Sequence, residues 1–220
     1  MVIIFANQKG GVGKTTLSIL YANHLAENGK QVILVDTDVQ RSCYFKRQSE
    51  LDNWEEDAIK YKIEPANLTT VEDSQELMKM AHNASKAGCH VIIDVPGNIT
   101  EDYLGPLFIH SDVIICPFIF ESMAIHSTST FIKVLTMLEK QYKIMKPKKF
   151  FVPNMVFRNQ GTSDEIKQYE NAEDILKSFG FVTPKVHMRA ELKRINTVVS
   201  TPKQKNEVED CFNYIDNNIF

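Results

Sequence analysis

Residues 2–16 read Val2-Ile3-Ile4-Phe5-Ala6-Asn7-Gln8-Lys9-Gly10-Gly11-Val12-Gly13-Lys14-Thr15-Thr16. The opening apolar run is continuous rather than alternating, the mark of a strand buried on both faces of a parallel sheet. Gly10, Gly11 and Gly13 let the backbone curl so that successive N–H groups point inward at phosphate oxygens. Leu17, Leu20, Tyr21 and Leu25 then recur at helical spacing, so the loop feeds the positive N-terminal end of a helix. Strand, glycine loop, Gly-Lys-Thr and helix in that order make a nucleotide phosphate site. Gly10, Gly11, Val12, Gly13, Lys14, Thr15 and Thr16 are expected to form it. Lys14 would reach the β- and γ-phosphates, the Thr15 hydroxyl Mg²⁺, and Thr16 the α-phosphate. The ordinary G-x-x-x-x-G-K-[ST] pattern fails only at its first position, which is Gln8.

Further continuous apolar runs occur at 32–36, 91–95, 112–118 and 150–157, and a weaker alternating run at 58–64 suggests an edge strand. Helical patterns separate them: Thr70 with Asp73 opens one toward Gly88, and Ile125, Phe131, Leu135 and Leu138 mark another. Ser163–Phe179 gives a fourth helix, and Val208, Cys211, Phe212, Ile215 and Ile219 stripe a fifth. The alternation predicts a single α/β domain over 1–220, a doubly wound, mostly parallel sheet flanked by helices. Ligands in such sheets bind beyond the carboxyl ends of the strands.

Two further motifs fall at those ends. Asp36 and Asp38 close the second apolar run at period-2 spacing, where one carboxylate can hold a Mg²⁺-bound water and another can position an attacking water. His90–Asp94 is an apolar strand ending in an acid, so Asp94 is expected to reach Mg²⁺ through its waters. Gly97, after Pro96, can turn its backbone N–H toward a γ-phosphate.

Composition narrows the class. With 25 Lys+Arg against 28 Asp+Glu, a formal −3, the chain cannot bind nucleic acid by bulk charge, although local basic patches remain open. Cys43, Cys89, Cys116 and Cys211 are scattered without a C-x-x-C pair, which speaks against zinc or iron–sulfur centres and for buried reduced thiols. None of the six scattered His is given a catalytic role. The start lacks the basic segment of a signal peptide. No apolar stretch approaches the roughly 18 residues that span a bilayer. A cytoplasmic protein is expected.

The run Lys9-Gly10-Gly11-Val12-Gly13-Lys14-Thr15-Thr16, with its extra lysine, resembles the deviant Walker A motif of the ParA/MinD family of ATPases. Asp36-Thr37-Asp38-Val39-Gln40 is similar to the family's D-x-D-P-Q, with Val39 in place of proline, and Asp94-Val95-Pro96-Gly97 matches its D-x-P-G. The resemblance implies ATP and Mg²⁺ as ligands, with Thr15, Asp36 and Asp94 at the metal. It implies catalysis by Lys9, Lys14 and Asp38: Lys9 would act across a dimer interface on the partner's γ-phosphate, and Asp38 would orient the lytic water. It puts adenine near Asn154, though a plain strand-end Asn is nearly as good a reading, and near Thr183–Val186.

The member of the family that fits best is a small ParA-type partition ATPase. It would bind DNA nonspecifically as the ATP homodimer and be released when a ParB-like protein stimulates hydrolysis. Because the chain begins at its P-loop strand, no N-terminal helix-turn-helix and no operator-specific binding are expected. Residues 185–205 carry six basic residues against Glu191 alone, with Arg189, Lys193 and Arg194 as candidate DNA contacts; Lys143, Lys146, Lys148 and Lys149 form a second cluster. Such charges on a merely solvated surface would look the same. A MinD-like membrane role is disfavoured, because residues 206–220 hold four acids and no Lys or Arg. An ATPase that positions a protein cargo stays open. Lys9 argues against dethiobiotin synthetase, and the contexts of Cys89 and Cys116 argue against an iron–sulfur reductase.

Overall fold

The computed structural model describes residues 1–97, 101–142, 147–157 and 161–220. Seven strands, β1 (Val2–Phe5), β2 (Val32–Asp36), β3 (Lys62–Pro65), β4 (His90–Asp94), β5 (Val113–Phe118), β6 (Lys148–Pro153) and β7 (Phe181–Val182), form one sheet in the order β3-β2-β4-β1-β5-β6-β7. Every pairing is parallel. The central strands β1 and β5 are buried along their whole length, as continuous apolar runs require. The weaker run supplies the edge strand β3, which pairs only with β2.

Helices cover both faces. On one side α1 (Lys14–Glu27), α2 (Ser42–Glu50) and α7 (Pro202–Ile219) pack against β1, β2 and β6 around Leu17, Leu20, Tyr21, Phe150 and Phe212. On the other lie α3 (Val71–Lys86), α4 (Gly105–His110), α5 (Ser122–Tyr142) and α6 (Ser163–Lys177), around Ile4, Ile93, Phe108, Phe118 and Phe131. The Thr70–Asp73 pair expected at the start of α3 is a full capping box, and Thr162–Glu165 and Thr201–Gln204 repeat it on α6 and α7. The apolar stripe of α7 is spent on the core: Val208, Cys211, Phe212 and Ile215 are all buried.

Three details differ from the sequence reading. The run at 150–157 ends as a strand at Pro153, because Asn154 turns inward and Met155 takes φ 55; Val156 then bridges His187 alone. The two-residue strand β7 and the six-residue helix α4 are too short to show periodicity. The basic segment, to which the sequence reading gave no element, is a loop with one 3₁₀ turn, Glu191–Lys193, leading into α7.

A phosphate loop braced over a buried acid cluster

The loop between β1 and α1 leaves the carboxyl edge of the sheet between β4 and β5, where α/β sheets bind ligands. Its shape is fixed from below. Asn7 is fully buried and donates through Nδ2 to the Pro117 carbonyl (2.7 Å) and to the Thr128 hydroxyl (2.9 Å), while its Oδ1 accepts from the Lys9 N–H. Gly13 caps α1 at φ 94, a conformation costly to any residue with a Cβ. Asn154 braces the loop from the side: its Nδ2 donates to the Val12 carbonyl at 2.8 Å and its backbone N–H to Phe118 at 2.7 Å. The residue read as an adenine contact therefore uses its amide nitrogen on the phosphate loop. Thr183, from the second segment read at adenine, is buried and donates to the Pro184 carbonyl.

Lys14 lies under the loop, only 8% exposed, with Nζ 3.3 Å from the Lys9 carbonyl. Burial pushes its ammonium below the ordinary lysine value, and the carboxylates of Asp94 and Asp38 work against that shift. Gly97 closes the roof of the site: a Cβ there would stand 3.5 Å from both Lys14 Nζ and Gly10 Cα. The Lys9 side chain and Gly10 and Gly11 are on the open side of the loop, half-buried to exposed, whereas Val12 is buried. Thr15 and Thr16, in the first turn of α1, are half-buried.

The acids sit deeper. Neighbouring strands in register place Asp36 beside Asp94. The Thr15 hydroxyl donates to Asp94 Oδ2 at 2.7 Å, and Asp94 Oδ1 is buried with no hydrogen-bond partner among the described residues. Burial pushes the Asp94 carboxyl up to about 7, against the Thr15 bond and with the help of nearby Asp36. Burial likewise raises Asp36, although the N–H groups of Tyr44 (3.1 Å) and Asp38 (3.2 Å) hold its charged form. Asp38 is nearer the surface, and its Oδ1 accepts the Gln40 N–H at 2.9 Å. Cys43, on the first turn of α2, completes this layer: its thiol lies 3.6 Å from Asp94 Oδ2, and Asp36, Cys43 and Asp94 bring three ligand atoms within 4.8 Å of one another. No sequence motif marks Cys43; only the packing of α2 on β2 and β3 brings it there.

The CobQ/CobB/MinD/ParA nucleotide binding domain model matches residues 3–203, nearly the whole chain. The chain belongs to this family. It is thus a nucleotide-binding domain of ParA/MinD type. The chromosome-partitioning ATPase Soj of Thermus thermophilus is 63% identical over 38 residues, a stretch that is 17% of this chain and 15% of that protein. A plasmid partition protein of Borrelia burgdorferi B31, crystallised with AMPPNP, superimposes with TM-score 0.72 at 20% identity, covering 99% of this chain and 98% of its own. The pNOB8 ParA bound to nonspecific DNA gives TM-score 0.61 at 15% identity, covering 99% of both chains. These overlays establish a shared fold.

The basic segment is partly neutralised. Arg189 pairs with Glu207 (2.9 Å), Lys185 with Glu173 (3.1 Å) and Lys205 with Glu27 (2.9 Å). Lys193, Arg194 and Lys203 are exposed and, among the described residues, make no ion pair. In the second cluster Lys149 pairs with Glu139 and Lys148 donates to the Asn218 carbonyl; Lys143 and Lys146 lie outside the described residues. Among the described residues, no helix is long and apolar enough to cross a membrane.

Proposed function

We propose that the protein is an ATP-hydrolysing dimerisation switch of ParA type that binds DNA nonspecifically in its ATP state. One observation carries the ATPase reading: Lys14, Gly97 and the Thr15–Asp94 pair converge at the glycine loop that carries the half-buried Lys9. The residues also fit a hard divalent cation, because Asp94 offers a buried oxygen that no described group satisfies, beside the Thr15 hydroxyl and Asp36. Mg²⁺ held by Thr15, Asp36 and Asp94 would offset the negative charge of the phosphates.

Each residue then has a role. The loop N–H groups cradle the phosphates, and Lys14 neutralises the β- and γ-oxygens. Gly97 reads the γ-phosphate through its backbone, beside Gly10 and the Lys14 ammonium. Asp38, with its carboxylate fixed by the Gln40 N–H, orients the attacking water. Lys9 reaches the γ-phosphate of a second copy, so ATP joins two monomers and hydrolysis, speeded by a ParB-like partner, separates them. Lys193, Arg194 and Lys203 supply the DNA contacts, with Arg189 contributing only if it leaves Glu207. That neutralisation is also what favours a second reading, in which the same switch carries a protein cargo.

The test is Asp38→Ala, which should keep ATP binding, lose hydrolysis by ~100-fold or more and hold the ATP dimer. That dimer should bind random duplex DNA with ATP but not ADP, steeply weakened by salt, and Lys193→Glu/Arg194→Glu should remove the binding. Wild-type hydrolysis by Asp38→Ala would refute its role. A trapped dimer that ignores DNA would refute the DNA reading and leave the cargo reading standing.

A further inference from the structure

We propose that Cys43 makes the acid pocket beneath the phosphate loop a thiophilic cation site, so that the nucleotide-free protein takes up one Zn²⁺-like ion on Asp36, Cys43 and Asp94. Those three residues supply two hard oxygens and one soft sulfur on three different elements, β2, α2 and β4. The spacing suits a shared ion. A tetrahedral metal with bonds of ~2.3 Å to sulfur and ~2.1 Å to oxygen holds those two atoms ~3.6 Å apart, and Cys43 Sγ lies 3.6 Å from Asp94 Oδ2. The second Asp94 oxygen, buried and without a partner among the described residues, is an independent sign that the pocket wants a cation. Solvent would complete the fourth position, while the Thr15 hydroxyl stays hydrogen-bonded to Asp94 Oδ2 at 2.7 Å.

The selectivity follows from the donors. Mg²⁺ keeps several waters, prefers oxygen and binds with the nucleotide phosphates. Zn²⁺ and Cd²⁺ gain from a thiolate and need no phosphate. On binding, one metal–sulfur bond forms and the thiol proton leaves to solvent. Because Asp36 and Asp94 are shared with the proposed Mg²⁺–ATP site, the thiophilic ion would hold the protein in its nucleotide-free form. Uptake itself rests on the three side chains; only the antagonism with ATP rests on the proposed function.

The experiment titrates CdCl₂ into reduced, nucleotide-free, full-length protein and follows the ultraviolet thiolate-to-cadmium charge-transfer band. One equivalent is expected to produce the band. Cys43→Ser should abolish it, Cys116→Ser and Cys211→Ser should leave it unchanged, and Asp94→Asn should weaken Cd²⁺ binding by ~10-fold or more. Unchanged ellipticity and a cooperative urea transition with the wild-type m-value would show that Cys43→Ser is folded. No band in the wild type, or the same band in folded Cys43→Ser, overturns the proposal. Wild-type ATP binding in the Cys43→Ser protein together with loss of the band supports it and leaves the ATPase reading intact. A protein that shows the Cys43-dependent band but never binds ATP would refute the proposed function without touching the site.

Discussion

Replacing Gly13 by alanine tests whether Asn154 braces the loop as described. At φ 94 a side chain brings strain of ~1–3 kcal/mol. The new methyl would also stand 2.3 Å from Asn154 Nδ2, far inside van der Waals contact, so the amide must swing away. That breaks its bond to the Val12 carbonyl and leaves a buried acceptor unmatched, a further ~1–3 kcal/mol. The expected loss is therefore ~2–6 kcal/mol, read by urea denaturation without nucleotide at unchanged m-value. Asn154→Ala alone forfeits the same hydrogen bond, ~1–3 kcal/mol. In the double variant that bond can be lost only once, so the two effects should fall short of additivity by ~1–3 kcal/mol. Additive effects, or a Gly13→Ala cost below ~1 kcal/mol, would refute the bracing argument.

Other consequences follow from the same coordinates. Lys14→Ala should reduce ATP affinity by at least ~100-fold, measured by calorimetry. Arg47 is buried and gives three hydrogen bonds, two to Thr197 and one to the Tyr61 carbonyl; Arg47→Met should cost ~3–5 kcal/mol in urea and loosen the segment before α7. Burial tends to raise the Glu50 carboxyl, but bonds from Thr197 and the Lys46 ion pair outweigh it and leave it below its ordinary value. Its stabilisation is therefore complete above the ordinary glutamate range and is lost as pH falls through that range and then the lower folded value. The stability gap between wild type and Glu50→Gln should accordingly shrink in urea titrations carried from pH ~6 to pH ~3; a gap independent of pH would contradict this.

The sequence by itself determined the sheet and its parallel character, and it singled out the glycine loop as the candidate phosphate site. Those features are written in local pattern: continuous apolar strands, Gly10, Gly11 and Gly13 ahead of Lys14-Thr15, and acids at strand ends. Capping is equally local, which is why the start of α3 was legible. Tertiary structure decided what distance along the chain conceals. Asn154 follows Val12 by 142 positions, so no spacing announces that it braces the loop. Cys43 reads as one more scattered thiol until β4 and α2 close around it and set it against Asp94. Arg189 reads as a free cation until α7 brings Glu207 to its side. Local chemistry fixes which groups a segment can offer, whereas burial, charge pairing and ligand geometry depend on neighbours that only the folded sheet supplies.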